Sequence, residues 1–212
     1  MSEKYLGINQ PVPVYVLEHF IADLLDGRGL DNRKIEDLLK GYIKGENRRK
    51  KALSHMRLIL EKNGSLIEKI RDRISGSRFM DSPENDGKIL MICLLANTFP
   101  IFYESMSMLA SIFKVQHKIN TASIITKLAS GYGSNRGVYN AMNAVIPMLV
   151  EFGFITRIKP GVFEKRSKFR TLSPFLGELC VYTDIRLSRS RTILFQDIRH
   201  RPWYDFFELK LD

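Results

Sequence analysis

Apolar residues recur at helical spacing through the first half of the chain. Val14, Leu17, Ile21, Leu24 and Leu25 share one face, and Gly27 and Gly29 stop the pattern. Asp31 is placed to cap a second helix with Ile35, Leu38, Leu39 and Tyr42. A third helix is predicted from about Glu46 to Asn63, with Leu53, Met56, Ile59 and Leu60 together. A fourth carries Leu66, Ile67, Ile70 and Ile74 and ends at Gly76. Residues 75–85 are polar and turn-rich, so they read as a linker between a helical N-terminal domain (1–80) and a second domain (81–212). Ser82-Pro83-Glu84 fits a helix start. The run from Ile89 to Phe99 is apolar all round, the mark of a central, buried helix. Pro100 breaks it, and a sixth helix is expected over 101–116.

The pattern changes after residue 117. Thr121 fits the start of a short helix with Ile124, Ile125 and Leu128 inward. Gly131 and Gly133 then make a tight connection. Val138, Met142, Val145, Leu149 and Phe152 form one stripe on a longer helix, about Asn135 to Phe152. Pro147 is expected to kink it, and Gly153 closes it. Two short β-like runs follow, 154–158 and 163–165. Pro160-Gly161 between them suits the central positions of a type II turn. The fold class is therefore mainly α: a multi-helix N-terminal body, then a winged-helix-like domain with a small β-hairpin.

Charge sharpens this division. The 212 residues hold 33 Lys+Arg and 23 Asp+Glu, a net of +10. Residues 1–104 contribute +2, residues 105–203 contribute +10, and the last nine contribute −2. A surplus concentrated in one module points to a polyanionic partner. The ordinary balance of 44% hydrophobic and 26% charged residues argues against global disorder. Two cysteines, Cys93 and Cys180, make no disulfide framework and no C-x-x-C pair, so a reducing compartment is expected. The most lipophilic stretch, 89–102, is interrupted by Asn97, Thr98 and Pro100 and is too short to span a bilayer. No apolar leader follows Met1-Ser-Glu-Lys-Tyr. The expectation is a cytoplasmic protein with no membrane partner.

The order helix, helix, tight turn, helix, hairpin over about 65 residues resembles the winged helix-turn-helix of DNA-binding proteins. The resemblance implies that the 135–152 helix enters the major groove of double-stranded DNA and that the hairpin is a wing. On that reading Arg136, Tyr139, Asn140 and Asn143 face the bases, since Arg suits guanine and Asn suits adenine. Ser134 and Asn135 would hold a phosphate at the helix start. Arg157, Lys159, Lys165, Arg166, Lys168 and Arg170 would contact the backbone from the hairpin and its exit, against one acid, Glu164. The competing reading is a wing that docks protein, with an Arg/Asn face that is simply solvated. The helical N-terminal body, the Glu46-Asn47-Arg48 stretch and the winged-helix-like second half together also resemble the BrxA accessory proteins of BREX phage-defence systems. That similarity is one of architecture and implies a DNA-associated role.

Other clusters carry less. Arg186, Arg189, Arg191, Arg199 and Arg201 read equally as an extension of a DNA footprint or as a solvated loop. Pro202 to Phe207, with the single tryptophan, reads as an apolar tail docked on the body. The run Arg48-Arg49-Lys50-Lys51 opposes a helix dipole but is expected to be solvated. The four histidines are dispersed without metal-ligand spacing, and no P-loop, dinucleotide fingerprint or nucleophile elbow occurs. A non-enzymatic protein without cofactor or metal is expected. Its helical half is left for a protein partner or self-association.

Overall fold

The computed structural model describes residues 6–132 and 135–210; the side chains of Glu84, Asn135 and Arg199 lie outside that description. The chain is mainly α-helical. α1 (Val14–Leu25) buries Val16, Leu17, Phe20, Ile21, Leu24 and Leu25. Its end passes into Gly27 at φ +78°, a conformation that glycine adopts without strain. α2 (Asn32–Lys40) starts where Asp31 accepts the N–H groups of Arg33 and Lys34 at 3.0 and 3.1 Å.

α3 (Glu46–Arg71) is a single helix where the sequence pattern predicts two. Asn63 and Gly64 are weak helix formers, but tertiary bonds hold the turn. The buried Asn63 amide donates to the Ile59 carbonyl at 2.9 Å, the Leu94 carbonyl at 3.3 Å and Thr98 Oγ1 at 2.7 Å. The basic run at the start of α3 is largely tied down. Arg48 donates to Gln10 Oε1 at 3.1 Å, Arg49 to the Ile43 carbonyl at 3.3 Å, and Lys50 pairs with Glu46 at 2.5 Å.

α4 (Gly76–Met80) is one short turn pressed onto α1. A Cβ on Gly76 would lie 2.2 Å from the Ala22 carbonyl oxygen, so only glycine fits that approach. Ser82 does not cap the next helix as the sequence suggests. Its hydroxyl turns back and donates to the Phe79 carbonyl at 2.6 Å, closing α4.

α5 (Glu84–Thr98) is the centre of the molecule, with Ile89 through Ala96 essentially inaccessible. It packs on α1 and α3 and, further on, on α6 (Pro100–Phe113) and α9 (Pro174–Ser188). The two polar interruptions in its apolar run are interhelical bonds. Thr98 faces Asn63 of α3, and Asn97 donates to Thr183 Oγ1 of α9 at 3.0 Å. Cys93 of α5 faces Cys180 of α9 with Sγ atoms 3.7 Å apart, both reduced and buried. Pro100 turns the chain by 117° into α6. Among the described residues no single helix is long and apolar enough to cross a membrane.

α6 leads into β1 (Lys118–Asn120), α7 (Thr121–Tyr132), α8 (Asn135–Phe152), β2 (Ile155–Lys159) and β3 (Val162–Lys165). The three strands form one antiparallel sheet in the order β1-β3-β2. Gly161 sits at φ +74°, as the predicted turn requires. α8 continues through Pro147. β4 (Phe169–Arg170) pairs in parallel with β5 (Phe207–Glu208). Between α9 and β5 lie two 3-10 segments, Phe195–Arg199 and Pro202–Phe206.

The C-terminal segment is anchored as its composition predicts. Trp203 is fully buried, and its indole N–H donates to the Cys180 carbonyl at 3.3 Å. Beneath it Asp184 is completely buried, takes the Tyr103 hydroxyl at 2.5 Å, and pairs with Arg201 Nε at 2.8 Å. Burial, then the Asp184 carboxylate, pushes the Tyr103 hydroxyl well above the ordinary phenol range.

Candidate nucleic-acid interface

The buried face of α8 is the predicted one: Val138, Met142, Val145, Leu149 and Phe152 all lie in the core. Ala141, Ala144, Ile146 and Met148 are buried as well, so only a narrow strip reaches solvent. That strip is Arg136, Tyr139, Asn140, Asn143 and Pro147, aligned by the helical repeat. Arg136 at its start is the strip's one charge before Glu151. Ser134 lies outside the described residues, as does the side chain of Asn135.

At its far end α8 runs into Gly153 at φ +88°. The Arg166 guanidinium lies 3.6 Å from where a Gly153 Cβ would stand. Arg136 and Arg166 therefore mark opposite ends of α8, about 25 Å apart at 1.5 Å rise per residue. Lys168 and Arg170 follow Arg166 and are exposed, although Arg170 leans toward Glu208 at 3.8 Å.

The hairpin cations fall into two sets. Directly paired residues of an antiparallel sheet project from the same face. Ile119, Phe163 and Arg157 are such partners, and Ile155 pairs with Lys165. Arg157 lies with its guanidinium 5.6 Å from the Phe163 ring centre, and the Lys165 ammonium is 5.2 Å from that of Phe206. Both thus lie over aromatic residues on the body-facing side of the sheet. Partial burial lowers the Lys165 pKa. Asp205 opposes that shift, and Lys168 and Lys114 reinforce it. The outer face carries Thr156 and Glu164, and Glu164 is neutralised by Lys118 at 3.4 Å. Lys159 is exposed beside the tip.

The hairpin tip is fastened to α7. Thr121 donates its N–H to the Gly161 carbonyl at 2.9 Å and its hydroxyl to the same oxygen at 3.3 Å. The first turn of α7 is capped instead by Asn120, whose Oδ1 accepts the Ala122 N–H at 2.9 Å. Sequence reasoning missed this strand and its Lys118. It also missed Lys114, which joins the lysines at the hairpin base and pairs with Asp205 at 3.6 Å.

The second arginine cluster divides. Arg201 is held by Asp184, whereas Arg186, Arg189 and Arg191 are exposed, and the Arg199 side chain is outside the described residues. Among the described residues no group of three or more His, Cys, Asp or Glu side chains is placed to hold a metal. His55 is buried against Phe99 and takes the Asn9 N–H on Nε2 at 3.4 Å. Desolvation, with Lys51 adding repulsion, lowers its pKa to about 4. No family model matches the chain, and no curated protein or solved structure matches it.

Proposed function

We propose that this protein binds double-stranded DNA non-enzymatically, with α8 in the major groove and the hairpin as a wing. The observation that carries the reading is the distribution of charge along α8. An uncharged strip of Tyr139, Asn140 and Asn143 is presented to solvent, with Arg136 at one end and Arg166, Lys168 and Arg170 at the other. Arg136 and the amides of Asn140 and Asn143 suit base edges, and the exposed cations Lys159, Arg166, Lys168 and Arg170 suit phosphates beside the groove. The helix–strand–helix–helix–hairpin order, with β1 completing the sheet, supports the winged-helix resemblance. The architectural similarity to BrxA proteins extends the proposal to a DNA-associated accessory role, regulatory or in phage defence.

Fluorescence anisotropy with a labelled duplex tests it. Binding is expected to weaken steeply with salt, with a log–log slope of about −4 if four cations reach phosphates. Absent or salt-independent binding rejects the proposal.

A further inference from the structure

α9 presents two faces of different kinds. Leu176, Leu179, Cys180, Thr183 and Asp184 are buried, and with them the helix packs onto α5. The helical repeat places Phe175, Glu178, Val181, Tyr182, Ile185 and Arg186 on the opposite, outward arc. Polar residues are the usual occupants of such an arc, yet four of these six are apolar. Phe175, Val181 and Ile185 are partly exposed, and Tyr182 is 47% exposed. Apolar side chains gathered on one outward face mark an interaction surface.

Beside Tyr182 a hollow of about 220 Å³ opens between α9 and α3. The buried Leu66, Ile70 and Leu179 lie in its wall, with Lys69 and Glu178 at its margin. Phe175 also lines a second hollow of about 540 Å³, whose charged lining is Arg73, Arg78, Asp81 and Asp86. Three cations and three acids therefore border this face, and they cancel. Such a face offers no net field to a polyanion.

The order of charge along α9 selects the occupant. Glu178, Tyr182 and Arg186 lie four residues apart in one exposed row: acid, aromatic, cation. Rows of this spacing are the ridges by which helices pack. Neither charge enters an ion pair among the described residues. A second α9 laid antiparallel and centred on Tyr182 brings each Glu178 level with Arg186 of the partner subunit. The two Tyr182 rings then meet at the axis. A two-fold contact needs one patch that complements itself, and this row does so. Parallel helices would instead set Glu178 against Glu178 of the partner subunit.

We propose that the outward face of α9 is a two-fold interface between copies of this chain, seated on Tyr182 and closed by two reciprocal Glu178–Arg186 pairs. The interface stands on α9 alone and does not require α8 to bind DNA. Where both hold, the dimer carries two α8 helices related by the same axis and reads an inverted repeat.

Sedimentation equilibrium of the full chain, without DNA, tests the interface. A species of twice 24.5 kDa is expected. Glu178→Arg should move the dissociation midpoint about tenfold or more to higher concentration, because like charges then face each other at two symmetric places. Arg186→Glu should do the same. The two variants mixed in equal amounts should form a dimer again, since each supplies the charge that the other lacks. Both positions are exposed, and an unchanged far-ultraviolet circular dichroism spectrum verifies that the variants fold. The proposal is overturned if the unaltered chain stays at 24.5 kDa up to about 1 mM. It is equally overturned by a dimer that neither substitution weakens. Tighter duplex binding by Glu178→Arg in a monomeric chain would make the face a DNA contact, which also overturns it. Duplex titrations of the unaltered chain judge α8 separately, so the two proposals fail independently.

Discussion

The carboxylate of Glu151, in the last turn of α8, accepts the backbone N–H of Val14 at 2.8 Å across 137 residues of sequence. Val14 opens α1, and Pro13 before it supplies no side-chain cap. An acid at the end of one helix therefore caps the start of another, favourably placed for the α1 dipole. Desolvation raises the Glu151 pKa, and the Val14 N–H partly offsets that shift. Glu151→Ala should cost about 1 kcal/mol, the usual worth of a cap. Glu151→Gln, which keeps an acceptor, should cost less. Urea midpoints of the two variants at neutral pH distinguish these outcomes.

The Asp184–Arg201 pair should be among the most sensitive points of the structure. Arg201→Ala strands a fully buried carboxylate, which costs about 3–5 kcal/mol. Tyr103→Phe removes one hydrogen bond to the same carboxylate and should cost roughly 1–2 kcal/mol. The fluorescence of the single tryptophan, Trp203, which is seated on this network, reports both unfolding curves.

Acidification should destabilise the protein through His55. The unfolded chain takes up this proton as pH falls through about 6.5, while the folded chain keeps the ring neutral down to about 4. The contribution is complete above the higher value and is lost progressively between the two, a change on the order of 3 kcal/mol. His55→Gln should flatten this part of the stability profile. An unchanged slope between pH 7 and 4 in that variant would show that other groups govern it.

Base-facing and backbone-facing residues should separate in DNA titrations. Asn140→Ala with Asn143→Ala should relax preference among duplex sequences and leave the salt slope unchanged. Arg166→Ala should weaken all duplexes alike and reduce the slope by about 1, whereas Arg136→Ala should relax preference at one base pair. Arg157→Ala should do less to the slope, because its guanidinium lies over Phe163 on the body-facing side.

Much of this arrangement is legible in the sequence because periodicity records burial. The α8 stripe, the all-round apolar α5, the Pro160-Gly161 tip and the docked Trp203 all follow from local pattern. The misreadings share a cause in long-range contacts. Asn63 and Gly64 look like a helix end until Thr98 and the Leu94 carbonyl satisfy the Asn63 amide. Strand β1 has three residues and one inward side chain, Ile119, too few to show alternation. Within the candidate interface, residue type correctly marks cations but not their direction. Arg157 and Lys165 alternate onto the inner face through their register with Phe163 and Ile155, which no composition count records.

The paired thiols of Cys93 and Cys180 face each other in the dry seam between α5 and α9. Burial pushes the Cys180 thiol well above its ordinary pKa, which disfavours the reactive thiolate. A water-soluble thiol reagent then has no target in the native molecule and meets both sulfurs when the central helices part. The rate at which the chain consumes such a reagent is thus a built-in clock for global opening. It needs no introduced label, and it is sited in the seam between the central helix and α9.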